Sequence, residues 1–100
     1  MIREIKKFSK QRIKRGFDDS ETWALDNTVT SFIYPRLKRF VKLAPDVCRP
    51  GNLTIDEWKT ILDRMLGSFR ELSKAGYTNL VKKVDKGLKL FFKYYDRLWW

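Results

Sequence analysis

Gly16–Phe40, GFDDSETWALDNTVTSFIYPRLKRF, decides the fold. Asp18 is placed to cap a helix, and Glu21, three residues on, completes a capping box. Asp18, Asp19 and Glu21 sit where the helix dipole favours negative charge, while Arg36, Lys38, Arg39 and Lys42 crowd the opposite end. Leu25, Val29, Phe32, Ile33, Leu37, Phe40 and Val41 recur at steps of three and four. That spacing predicts a helix over 18–43 with one buried face. Pro35 falls inside the pattern, lacks an amide hydrogen and crowds the preceding turn. The apolar steps keep phase across it, which predicts a kink in a continuing helix; two helices split near Tyr34 are the alternative.

Working outward, residues 1–15 carry seven basic residues and one acid, a net +6. Ile2, Ile5 and Phe8, followed by Ile13, give this segment a narrow apolar stripe on a basic amphipathic helix. Gly16 is free to stop it in the left-handed conformation. Pro45, Pro50 and Gly51 make 44–53 a loop. Thr54 and Glu57 form a second capping box, with Leu53 and Trp58 as a hydrophobic staple. A helix over 54–75 follows, buried along Ile55, Trp58, Ile61, Leu62, Met65, Phe69 and Leu72 and stopped by Gly76. Thr78 or Asn79 caps a last helix over 78–98, whose apolar stripe is Leu80, Val81, Val84, Leu88, Phe91, Tyr95 and Leu98. Lys82, Lys83, Lys86, Lys89 and Lys93 line its other side. Gly87 inside it costs about 1 kcal/mol relative to alanine and permits a neighbouring helix to come close. The expectation is one all-α domain, 1–100, a compact bundle of about four helices with the second kinked at its proline.

The totals restrict the chemistry. Among 100 residues, 43% are hydrophobic and 15% aromatic, enough for a single core. There is no histidine and one cysteine, Cys48. A nucleophile–His pair, an intrachain disulfide and the usual Cys/His zinc set are therefore excluded. Neither a Gly-rich phosphate loop nor a dinucleotide fingerprint is present. No catalytic, cofactor-binding or metal-binding constellation emerges, and no cofactor is expected. Apolar runs fall short of the roughly 20 residues that span a bilayer, and no signal-peptide block opens the chain. The expectation is a soluble intracellular protein.

The formal charge of +10 points to an anionic partner. The expected contacts are Lys6, Lys7, Lys10, Arg12, Lys14 and Arg15 on the first helix, with Arg36, Lys38 and Arg39 as a second cluster. The lysine face of the last helix is a third basic surface. Each has a plainer reading, as dipole complement or as ordinary solubilising charge. A membrane-surface role for the first helix is disfavoured, because Ile2, Ile5 and Phe8 are too few to anchor it. Trp23, Tyr94, Trp99 and Trp100 are the expected interface residues, suited to base stacking, a host-protein contact or homo-oligomerisation. Trp58 reads as core and Cys48 as inert in its loop. Asp26 shares a face with Trp23, Thr30 and Ile33. A partly buried carboxylate there would be an acid or base, or, more simply, one half of an ion pair.

Several of these residues also resemble a known pattern. Gly16-Phe17, Trp23 with Leu25-Asp26, and Pro35-Arg36-Leu37-Lys38 are similar to a family of small bacteriophage proteins of unassigned function. So are Leu53-Thr54 with Glu57-Trp58, Gly87-Leu88, Leu90-Phe91, Lys93-Tyr94 and Leu98-Trp99. The likeness covers most of 16–99; the chain departs from it in its more basic composition and its terminal Trp-Trp. The resemblance implies phage origin and action in the cytoplasm of an infected bacterial host, and it transfers no catalytic residue. Together the two lines of reasoning predict a non-enzymatic binding protein for nucleic acid, a nucleotide or a nucleoprotein such as a CRISPR effector. Its role would be host-defence antagonist or nucleic-acid-binding accessory. A protein–protein inhibitor or assembly factor is the alternative, and an enzyme using Asp26 the weakest reading.

Overall fold

A computed structural model of the chain describes residues 2–44, 46–74 and 81–99. They form α1 (Ile2–Arg15), a 3-10 turn (Asp19–Thr22), α2 (Leu25–Leu43), α3 (Ile55–Leu72), α4 (Val81–Lys93) and a second 3-10 turn (Tyr95–Arg97). The fold is all-α, a helical bundle, with no strand among the described residues. The expected stop at Gly76, the cap at Thr78 or Asn79, and the roles of Pro45, Leu80 and Trp100 lie outside the described residues. The same holds for the side chains of Ile2, Val81 and Lys82.

The local signals act where they were expected, with one exception. Gly16 has φ +85°, and its amide donates to the Arg12 carbonyl at 2.8 Å, ending α1. Both capping boxes form, at Asp18/Glu21 and at Thr54/Glu57. The first, however, opens a four-residue 3-10 turn, so the helix expected over 18–43 is divided. The break falls at Trp23–Ala24, ahead of the proline. Its cause is competition for carbonyls. Thr22 Oγ1 donates to the Asp19 carbonyl at 2.7 Å and Thr28 Oγ1 to the Glu21 carbonyl at 2.7 Å. A continuing α-helix would use those acceptors for the amides of Trp23 and Leu25. Trp23 N–H turns instead to the Ser20 carbonyl at 3.2 Å. Beyond the break α2 runs unbroken through Pro35, so no split occurs near Tyr34. The last helix is likewise shorter than 78–98: α4 ends at Lys93 and the 3-10 turn carries the chain on.

The core lies between α2, α3 and α4. Trp58, Leu62, Met65, Leu66 and Phe69 from α3, Leu37 from α2, Phe91 from α4 and Cys48 from the loop are all buried together. Trp58 is fully enclosed, with Leu53 packed against the same cluster, as the staple requires. Removing its ring would cost about 3–5 kcal/mol. Cys48 Sγ donates to the Ala44 carbonyl at 3.2 Å and stays out of solvent. α3 and α4 run antiparallel: Trp58 meets Tyr94 edge-on at 5.3 Å near one end, and Ser68 meets Val84 near the other. Phe69 and Phe91 cross between them at 5.0 Å.

Two expected buried positions are corrected. Leu25, Val29 and Phe32 stay exposed: Leu25 and Val29 line an open hollow with Phe69, Leu72 and Leu88, and only Thr30 and Leu37 of α2 are buried. Tyr95 is 65% exposed, since the change to 3-10 geometry after Lys93 shifts the phase and turns Tyr94 inward in its place. α1 joins the rest of the chain at the first 3-10 turn, not at the three-helix core. That arm stretches the molecule to 54 × 33 × 19 Å. The radius of gyration is accordingly 16.7 Å, above the roughly 13 Å of a spherical domain this long.

Gly87 sets the α3–α4 spacing. A Cβ built there would fall 1.7 Å from Ser68 Oγ and 2.6 Å from the Arg64 carbonyl oxygen, which is backbone and cannot step aside. Ser68 Oγ lies 3.0 Å from the Val84 carbonyl and 3.2 Å from that of Lys83, so its hydroxyl bonds across the crossing. Gly87→Ala gains about 1 kcal/mol of helix propensity but overpacks this contact, at a cost of about 1–3 kcal/mol or more. Urea unfolding followed by circular dichroism should show a net loss of stability; a gain would contradict the close approach.

Candidate anion-binding site

The nine expected cations do not form one surface. Three of the six on α1 are held by acids of the turn that follows it. Arg12 Nη1 sits 2.6 Å from Asp18 Oδ2, Arg15 Nη2 is 2.6 Å from Asp19 Oδ1, and Lys7 Nζ lies 3.8 Å from Asp19 Oδ2. Gln11 exchanges two further hydrogen bonds with Asp19, each 2.8 Å. Asp18 is 2% exposed and also accepts from the Ser20 amide at 2.9 Å and from the Ser20 hydroxyl. Lys6, Lys10 and Lys14 are exposed one turn apart, and have no ion pair among the described residues. Arg36 follows the start of α2 by eleven residues, about 16 Å, remote from the point where α1 attaches. Its guanidinium stacks 3.8 Å over the Phe32 ring and donates to the Phe32 carbonyl at 3.0 Å. Lys38 and Arg39 are exposed beside it.

The seam between α3 and α4 brings together a different set. A cleft of about 440 Å³ is lined by Thr60, Asp63, Arg64, Gly67 and Arg70 from α3, with Lys83 and Lys86 from α4. It shares Arg64 and Lys86 with a second hollow of about 270 Å³, which continues past Lys89 and Leu90 to Lys93. Six cations therefore face one carboxylate along a common trough. None of the six is in an ion pair among the described residues. Arg70 makes one long contact, Nε to the Tyr34 hydroxyl at 3.4 Å. The lysines share a face because they recur at steps of three and four, and the core contacts of Val84, Gly87 and Phe91 turn that face outward. The lysine half of this site was legible in the sequence. The arginine half was not: Arg70 reads there as complementing the α3 dipole, and only the crossing at Gly87 places α3 beside the lysines.

The expected interface residues fare unequally. Trp23 is 72% exposed, although its ring meets Phe8 edge-on at 5.6 Å. Tyr94 is half-buried, its ring edge-on to Trp58 at 5.3 Å. Trp99 is 57% exposed. Asp26 is exposed, so the partly buried carboxylate expected there does not exist, and no ion pair engages it among the described residues. Its position at the first turn of α2 accounts for the exposure. Among the described residues no group of three or more His, Cys, Asp or Glu side chains gathers as a metal site, and no helix is long and apolar enough to cross a membrane. Comparison of the chain with protein-family models, curated protein sequences and solved structures gave no match.

The acids that hold α1 are themselves tuned. Hydrogen bonds from Ser20, then the Arg12 guanidinium, hold the Asp18 carboxyl below the usual aspartate value of 3.8 against the opposing effect of its burial. Arg15, then Gln11, lower Asp19 in the same way. A depressed folded value means that each carboxylate contributes stability above the ordinary aspartate range, lost as pH falls through the folded value. Acidification from about pH 5 towards pH 2 should therefore loosen α1 from the turn. Loss of the Phe8–Trp23 contact in NMR spectra, weakened in its pH dependence by Asp18→Asn, is the expected observation. An α1 attachment equally firm at both pH values would contradict it.

Proposed function

We propose that this chain is a non-enzymatic binding protein for an anionic, phosphate-bearing partner. The observation that carries the reading is the α3–α4 trough, where six cations from two helices converge with no ion pair among the described residues. Like charges held side by side repel, so an arrangement of this kind is stabilised by an anion. Nucleic acid, a nucleotide and a nucleoprotein all supply that charge. The resemblance of residues 16–99 to small bacteriophage proteins supports a setting in the cytoplasm of an infected bacterium. The chain would act there as an antagonist of a host defence, such as a CRISPR effector, or as a nucleic-acid-binding accessory.

A second reading rests on a separate feature. Phe32, Phe92, Tyr95 and Trp99 are all more than half exposed. Exposed aromatic side chains suit a protein–protein inhibitor or an assembly factor, with the positive charge steering encounter. A higher oligomer in sedimentation, or a host protein retained after nuclease treatment, would favour it.

The first reading is tested by electrophoretic mobility and titration against DNA, RNA and cyclic nucleotides. Binding should weaken at least tenfold between about 50 and 200 mM salt, as counterion release requires for several phosphate contacts. Absence of binding to all three at low salt would contradict it.

A further inference from the structure

We infer that the α3–α4 trough receives the sugar–phosphate backbone of a nucleic-acid strand and reads no base; this rests on the anionic-partner reading above. Shape comes first. The two hollows share Arg64 and Lys86 in their linings and follow one another along the seam. From Lys83 to Lys93 its α4 wall rises about 15 Å, room for two or three consecutive phosphates. A linear polyanion fits such a channel better than a compact ligand does.

The lining selects among anions. Neither hollow contains an aromatic side chain, and Leu90 is the one large apolar residue present. A free nucleotide would find nothing to hold its base, whereas a strand can keep its bases in solvent. Single-strand readers that hold bases do so by stacking them on aromatic rings, and Trp23, Phe92 and Trp99 do not line this channel. A lipid surface would need apolar residues among the cations. Phe92, an exposed ring of α4 about 60° around the helix from Lys89, lines neither hollow. Arg64 and Arg70 supply the planar forks that match a phosphate, opposite the point charges of the lysines.

Gly67 is the independent sign. It stands within α3, where glycine costs helix stability, yet a Cβ there would meet nothing within 4 Å. Packing therefore gives it no reason to be glycine, unlike Gly87. Its place is in the lining of the channel, between Arg64 and Arg70. A side chain at 67 would fill the floor on which the backbone lies. Absence of a side chain lets a phosphate approach the helix closely.

The test is fluorescence anisotropy on the full chain with labelled DNA and RNA strands of about 15 nucleotides, with inorganic polyphosphate and poly-glutamate as competitors. Gly67→Leu changes no charge and should weaken binding at least tenfold while leaving the circular dichroism intact. The pair Arg64→Gln with Lys86→Gln should weaken it further and reduce the salt slope by about 2. Arg12→Gln with Arg15→Gln on α1 should change affinity less than threefold. Oligo-dT and oligo-dA should bind within about threefold of one another, and polyphosphate should compete. Wild-type protein that binds no strand would overturn the anionic-partner reading together with this one. Strand binding unchanged by Gly67→Leu and by the double variant would overturn the trough alone. Stronger competition by poly-glutamate than by polyphosphate would overturn the nucleic-acid assignment.

Discussion

Everything distinctive in this molecule depends on the contact of Gly87 with Ser68. A side chain at 87 would collide with the α3 backbone at the Arg64 carbonyl, so the two helices are as close as backbones allow. The approach lets Phe69 reach Phe91 and Trp58 reach Tyr94, which closes the core. The same approach brings the outward face of α4 against Arg64 and Arg70. Core and trough are thus two sides of one crossing. Repulsion among the trough cations opposes the crossing, and the apolar contacts behind it must exceed that repulsion.

Formal charge along the sequence is a poor guide to where unpaired cations gather in the fold. Residues 1–15 are its most basic stretch, at net +6. Yet Arg12, Arg15 and Lys7 face Asp18 and Asp19 at salt-bridge distance, and Asp18 also caps the following turn. The exposed pairs to Asp19 contribute little stability singly. All three pairs tie α1 to the turn, the element it contacts. The trough contains fewer cations than α1 and turn together, but its six face one carboxylate without an ion pair among the described residues, and two walls focus their field.

How much of this was legible follows from the range of each interaction. The capping boxes at Asp18 and Thr54, the stop at Gly16 and the α3 stripe depend on residues within four positions of one another, and all appear as the sequence implies. The break at Trp23–Ala24 was hidden because the apolar steps run straight across it. Two threonine hydroxyls, which any periodicity count ignores, decide it. The apolar steps that keep phase across Pro35 imply a continuing helix there, and α2 runs through it unbroken. Tyr94 and Tyr95 exchange roles because the helix changes type just before them. Arg64 and Arg70 could not be joined to the lysines of α4 without knowing which face of α3 meets Gly87. Close approach was foreseen at Gly87, but its partner was a matter of tertiary structure.

The central claim is that function resides on the seam of α3 and α4 and not on the basic arm. Backbone amide NMR during titration with a short single-stranded DNA tests it without any substitution. The account predicts chemical-shift changes concentrated in residues 60–70 and 83–93, with α1 almost unmoved. Changes centred on residues 5–15, with the seam silent, would contradict it.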